Sequence, residues 1–415
     1  MTGWTGRLAR FLPTTSAGRR MALVALVDSC GTGIFLTGSV IFLSRVAGLS
    51  AGQIGVGLSV AGIVGFASTV PIGVAADRIG ARRMLVMLQV WRGAWFVAYA
   101  FVAAFPVYVV VACMLALAEK ATGPLNQAVV GAAVGTDDRV RTMATIRVVR
   151  NVGFSLGALA GTMIVGLGSD TGFRGIILAN AASFFLAAFL LRRIPLVEPA
   201  TAARRGGLWR GLASLRDGRY LALTGLNAIL VIHMTMLSVG IPLLIVTRTP
   251  APPQLAGVTV LVNTLLVILF QVRASRGCDD LTVAAHRMRW SGVALAASCL
   301  LLGLTAGAGV IVATVLVVAA VVLLAAGEMW QSAGSWGVSY ELAPAERRAE
   351  YLSVFSLGST AQSVVGPALL TTVVVPHGTL GWLGLGVLLL GTGLALPVVV
   401  ARASRPVESH EWSPR

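Results

Sequence analysis

Residues 73–83 read Gly73-Val-Ala-Ala-Asp77-Arg78-Ile-Gly80-Ala-Arg82-Arg83, a carboxylate and three guanidiniums packed into one short stretch. On either side the chain is almost pure hydrocarbon, with apolar runs at 52–75 and 84–104. A run of about 20 apolar residues is what a helix needs to cross roughly 30 Å of bilayer. The stretch therefore reads as a turn between two spanning helices. Gly73 permits close backbone approach and Gly80 the reversal, while Asp77 is placed to accept backbone N–H groups or to face a helix N-terminus.

Working outward, the same alternation repeats along all 415 residues, of which 56% are hydrophobic and only 12% charged, at a mean hydropathy of +0.85. Composition of this kind belongs to an integral membrane protein. Further runs lie near 21–44, 107–130, 143–167, 174–191, 220–247, 255–272, 290–307, 310–333, 350–375 and 380–401. They are too long and too uniformly apolar for barrel strands, so the expected class is all-α with twelve spans. The expected layout is a cytoplasmic N-terminus (1–20), a six-helix bundle (21–191), a polar linker (192–219), a second bundle (220–401) and a tail (402–415). The first run continues too far for a cleaved signal and reads as a retained helix. Cys30, Cys113, Cys278 and Cys299 show no paired spacing, which predicts reduced thiols and no metal cluster.

The net charge of +16 suggests nucleic acid until its placement is considered. Of 32 Lys and Arg, 25 fall on the side of the two termini and the linker, and only Arg45, Arg174 and Arg248 on the other. By the positive-inside rule that side is cytoplasmic, in a multi-pass protein of the cell membrane, and nucleic acid is not an expected partner. Arginines at 204–219 are suited to anionic lipid. The two halves also correspond at an offset of 209 residues: Glu119 with Glu328, Arg139 with Arg348, Gly157 with Gly366. Repeats of this kind place a binding cavity at their interface near the midplane.

The turn at 73–83 resembles the loop motif of the major facilitator superfamily, Gly-x-Leu-Ala-Asp-Arg-x-Gly-Arg-Lys. Gly73, Ala76, Asp77, Arg78, Gly80 and Arg82 match, whereas Ala75 and Ala81 depart from it. The resemblance implies two pseudo-symmetric six-helix bundles, alternating access, and a conformational latch in which Asp77 contacts the start of helix 11 near Glu350. The loop around Cys278–Arg289 lacks a comparable arrangement, so latching is expected to be asymmetric. Helix 5 carries Gly153, Gly157 and Gly161, a stripe for close helix packing. It resembles the antiporter motif of drug-exporting branches, with Ala158 where that motif has proline; the Gly-Pro pair stands instead at Gly366-Pro367.

Charges inside the membrane are costly and mark functional positions. Three acids lie within spans: Asp28, Glu119 and Glu328. The resemblance puts helices 1, 4, 7 and 10 around the cavity, so all three are candidates for proton coupling or substrate binding, Asp28 foremost. The plainer reading has them paired with Arg92, Lys120, Arg147 or Arg150, with Glu119 drawn to Lys120 or Arg150 and Arg147 and Arg150 snorkelling to the surface. Asn227, His233 and Gln331 are further cavity candidates, His233 also fitting a hydrogen-bonded packing role. No nucleophile–base grouping, phosphate loop or metal spacing is present, so no enzyme activity, cofactor or metal is expected, and transport must run on an ion gradient. The sequence is similar to twelve-helix drug:proton antiporters of actinobacterial type, a likeness that Arg outnumbering Lys 31 to 1 reinforces. The expectation is a monomeric, proton-driven exporter of small amphipathic compounds. The alternatives are an importer of a polar nutrient (sugar, peptide or organic anion) and a non-transporting receptor or assembly protein.

Overall fold

The computed structural model describes residues 13–135, 138–166, 169–194 and 213–404. The expected linker core and most of the arginines at 204–219 lie outside the described residues, as do both chain ends.

Twelve long helices make up the described chain, with no strand among the described residues. They are α1 (Ser16–Ile41), α2 (Ala51–Ile79), α3 (Ala81–Tyr99), α4 (Phe105–Val134), α5 (Arg139–Gly166) and α6 (Asp170–Arg192). The second six are α7 (Gly218–Leu230, continued through breaks to Arg248), α8 (Leu255–Ala274), α9 (Leu281–Gly303), α10 (Val310–Glu341), α11 (Arg348–Leu369) and α12 (Gly378–Ala403). Ten are long and apolar enough to cross a membrane; α3 and α9 are the exceptions. Both begin in clusters of basic residues, Arg82 and Arg83 in one and His286, Arg287 and Arg289 in the other, which dilute an otherwise apolar helix.

Local chemistry fixes the ends. The side chain of Ser50 accepts from Gln53 N while the Gln53 side chain accepts from Ser50 N, a capping box that starts α2. Asp280 caps α9 by accepting from Thr282 N and Val283 N. Gly80 has φ 97°, a left-handed conformation that ends α2 and lets α3 begin at the next residue. Several helices overrun the apolar runs that announce them. α9 begins nine residues before the run at 290, and α10 continues past 333 to Glu341. Arginine and glutamate propagate a helix well, and nothing obliges it to stop where hydrocarbon gives way to headgroups.

Two apolar clusters organise the first six helices and one the second. Exchange between them is limited: Val70, Val74 and Val140 join the second-half core, and Ala349 joins the first-half core. The expected stripe on α5 packs on α1, since a Cβ at Gly153, Gly157 or Gly161 would overlap Ser29, the Cys30 carbonyl and Thr37 respectively. Gly366 of α11, ahead of Pro367, is crowded by the Gln362 amide and by Thr235 of α7.

Candidate functional site

The two halves meet on the Arg-rich side, where α1 begins and α2 turns into α3. Asp77, at the end of α2, accepts from Ala349 N and Glu350 N at 2.8 Å each, so its two carboxylate oxygens cap the N-terminus of α11. Orphan N–H groups and the positive helix end both favour an anion there. Close approach is possible because residue 73 is glycine: a Cβ would stand 2.7 Å from the Ala349 carbonyl oxygen. Arg82 donates to the Ile194 carbonyl at 2.7 Å, and Arg78 is likewise engaged. Glu350 accepts from Ser214 N at 3.1 Å, from Ser214 Oγ at 2.6 Å and from Arg347, which ties it within the second half rather than to an intramembrane cation.

A second cap of the same kind joins the halves, and it corrects the expectation of asymmetric latching. Asp279, in the α8–α9 turn, accepts from Val140 N at 3.0 Å at the start of α5, with Arg139 Nη2 at 3.8 Å. The 209-residue offset would carry Asp77 onto His286, so a search at that register misses a carboxylate displaced along the turn. Between the two caps Tyr340 of α10 is sandwiched by the symmetry-related arginines, with Arg139 4.1 Å and Arg348 4.0 Å from its ring centroid. Arg139 also pairs with Glu341 at 2.6 Å.

Nearer the midplane Arg147 of α5 reaches across to α10, bonding Glu328 and Ser332. Glu328 accepts additionally from Asn263 Nδ2 of α8 at 3.0 Å. Ser332 Oγ donates to Gln331 Oε1 at 3.3 Å, and Gln331 Nε2 donates to Asn227 Oδ1 of α7 at 2.7 Å. His233 is buried beside this network, its Nδ1 2.9 Å from the Leu230 carbonyl one turn back. Glu328, Asn227, Gln331 and Arg147 thus come together in one chain of polar contacts. Arg147 does not snorkel, because a carboxylate within reach neutralises it in place. Asn263 carried no sequence signal, as an asparagine without a motif in an apolar run.

Asp28 does not line open space. It is bonded to Arg92 at 3.2 Å and to Gln89 Nε2 at 3.1 Å, one turn apart on α3, and the Arg92 guanidinium lies 3.9 Å from the Phe184 ring centroid. The plainer reading, an internal ion pair, describes this acid. Glu119 is the opposite case: it is exposed on α4 and has no ion-pair partner among the described residues, neither Lys120 nor Arg150. Arg150 is exposed and unpaired in the same sense, so it partners none of the three acids.

On α4, Leu117 O accepts from Ser68 of α2, and Gln127 donates to Trp336 O and Ser339 Oγ of α10.

Residues 21–367 match the family described as Major Facilitator Superfamily. The chain belongs to that superfamily. Solved structures agree on the fold. A bacterial homologue of the iron transporter ferroportin in an outward-facing state is 16% identical, with a TM-score of 0.69 over 94% of this chain and 100% of its own. The human organic anion transporter MFSD10 is 16% identical, with a TM-score of 0.65 over 93% and 100%. The proton:xylose symporter XylE, bound to 6-bromo-6-deoxy-D-glucose, is 15% identical, with a TM-score of 0.65 over 93% and 99%. No curated protein matches by sequence. The chain is a multi-pass membrane protein and a secondary transporter, not an enzyme.

Proposed function

We propose that the protein is a proton-coupled exporter of small amphipathic compounds, drug-like or specialised metabolites, working by alternating access in the cell membrane. In this reading the Arg-rich face is cytoplasmic, both termini lie on that side, the chain acts as a monomer without a cofactor, and the state described is closed towards the cytoplasm. One observation carries it: Glu328 and Arg147, from opposite halves, neutralise each other within the span. An ion pair of this kind holds only while the carboxyl is ionised. Protonation removes the charge that stabilises Arg147, weakens the closed state and couples one proton to a change in the two-state balance. Asp77 and Asp279 act as the latches of the same closed state. The partial antiporter stripe on α5 and the few acids in the cavity support export of amphipathic solutes.

The test is uptake into inside-out vesicles, with lipophilic cations and neutral drugs and an imposed pH gradient. Wild type accumulates a subset of them, and Glu328→Gln, at equal membrane abundance, loses the gradient dependence. Gradient-driven accumulation that survives in Glu328→Gln would sink the assignment. A second reading, import of an organic anion, is favoured by the exposed cation Arg150; it predicts accumulation in right-side-out vesicles only.

A further inference from the structure

Protonation of Glu328, the step on which the proposed coupling rests, turns one oxygen of that side chain from an acceptor into a donor. An O–H group formed inside a buried network needs an acceptor of its own, because an unmatched buried donor is costly. Most acceptors around Glu328 are taken. Ser332 Oγ accepts from Arg147, Gln331 Oε1 from Ser332, and Asn227 Oδ1 from Gln331. Asn263 of α8 is different. Only 5% exposed, it donates through Nδ2 to Glu328 Oε2 at 3.0 Å, while its Oδ1 is buried with no hydrogen-bond partner among the described residues.

The two ends of that amide have the same reach. A half-turn about χ2 exchanges Nδ2 and Oδ1 and sets an acceptor where the donor stood, beside Glu328 Oε2. With the carboxylate ionised the donor faces it, and with the carboxyl protonated the acceptor does. Gln271, two turns further along α8 and fully buried, provides a contrast. Its Oε1 is also unpartnered, but its Nε2 donates to the Met329 carbonyl at 3.3 Å, a group that does not change protonation.

The titratable groups facing Glu328 are Arg147 of α5 and His233 of α7. Arg147 has donors only. His233 is engaged with the Leu230 carbonyl through Nδ1 and is not a hydrogen-bond partner of the carboxyl. α9 meets the preceding residue, Gly327, with Leu295 and Ser291, and α4 and α11 meet α10 further on, through Gln127 at Trp336 and Arg348 at Tyr340.

We infer that Asn263 is the hydrogen-bond acceptor for protonated Glu328: its amide donates to the ionised carboxylate and, turned over, accepts from the neutral carboxyl. Asn263 acts through Glu328, as a positioning residue. The inference rests on the reading of Glu328 as the coupling carboxyl and adds what keeps that carboxyl aligned once its charge is gone. Anchored to α8, neutral Glu328 stays within the second half while Arg147 of the first half is released.

The experiment is infrared difference spectroscopy of purified full-length protein in detergent, titrated between about pH 4 and pH 9 without any gradient. The carboxyl C=O band that Glu328→Gln removes reports the protonated side chain. Hydrogen bonding lowers its wavenumber, and its amplitude against pH gives the titration midpoint. In wild type the band is expected at the hydrogen-bonded position. Asn263→Leu, an apolar side chain of similar volume, should move it to higher wavenumber, towards the free acid. The midpoint should rise by about one pH unit, because the ionised form loses the stronger, charge-assisted bond. Gln271→Leu, which removes a buried amide from the same seam, should change neither. A wild-type band at the free-acid position overturns the inference whatever the variants do. So does an unmoved band in folded Asn263→Leu, or equal movements in the two Leu variants. If no Glu328 band forms across the range, the coupling role of Glu328 falls and this inference with it. The expected bands in a protein that shows no gradient-driven export remove the exporter reading and leave this inference standing.

Discussion

The two six-helix halves share a fold and differ in how they are wired. Glu119 and Glu328 occupy equivalent places on α4 and α10, yet one is exposed with no ion-pair partner among the described residues and the other is tied to Arg147, Asn263 and the polar chain beyond. The carboxylates that cap a helix of the opposite half, Asp77 and Asp279, are alike in role: Asp77 accepts from Ala349 N and Glu350 N at 2.8 Å each, and Asp279 from Val140 N at 3.0 Å. Duplication thus preserved the scaffold while the charges diverged. In one half the carboxylate is exposed, and in the other it bonds across to the opposite half.

The largest effect is expected where a partner would be stranded. Glu328→Ala leaves Arg147 without its carboxylate inside the span, a loss of about 3 kcal/mol or more, read as a lower melting temperature of the purified protein. Glu119→Ala strands nothing and should change stability by less than about 0.5 kcal/mol. Equal losses in the two would break the comparison.

An intermediate effect sharpens the packing side. Alanine at Gly157 meets the Cys30 carbonyl, backbone that cannot withdraw, at a cost of about 1–3 kcal/mol. Alanine at Gly366 meets chiefly the end of the Gln362 side chain, which can turn aside. Thermal unfolding should therefore separate Gly157→Ala from Gly366→Ala, and a greater loss in Gly366→Ala would contradict the geometry.

The smallest effect concerns the latches. Asp77→Asn weakens two charge-assisted bonds to α11 and should move the open-to-closed ratio on the Arg-rich side by on the order of tenfold. Asp279→Asn, at the corresponding cap on α5, should move it in the same direction. Spin labels on the Arg-rich ends of the two halves would report both populations through their distance distributions. No shift with Asp77→Asn, or shifts in opposite directions in the two variants, would break the likeness of the two caps.

Much of the fold was legible in the chain. Span lengths, the one-sided placement of arginine and the turn at 73–83 were sufficient, because bilayer thickness and backbone hydrogen bonding leave few alternatives. The site was legible in type and not in pairing. Which acid meets which arginine depends on contacts between residues 64 apart for Asp28–Arg92 and 181 apart for Glu328–Arg147. Periodicity says nothing about such distances. Hence Asp28, a lone acid in the first helix, reads as the foremost cavity group and is instead held by α3. Asn263 gives no warning at all. Asp279 was hidden for another reason: its role depends on where a turn delivers a carboxylate, and the turn is not in register with its counterpart.

The cap that Asp77 places on α11 has a consequence for water. While the halves are closed, the first N–H groups of that helix are bonded by a carboxylate in a part-buried seam. When the halves part, the same groups and the carboxylate must all be hydrated. Opening on that side is therefore also a hydration reaction, and excluded osmolytes, which lower water activity, will hold the transporter shut without touching its solute site.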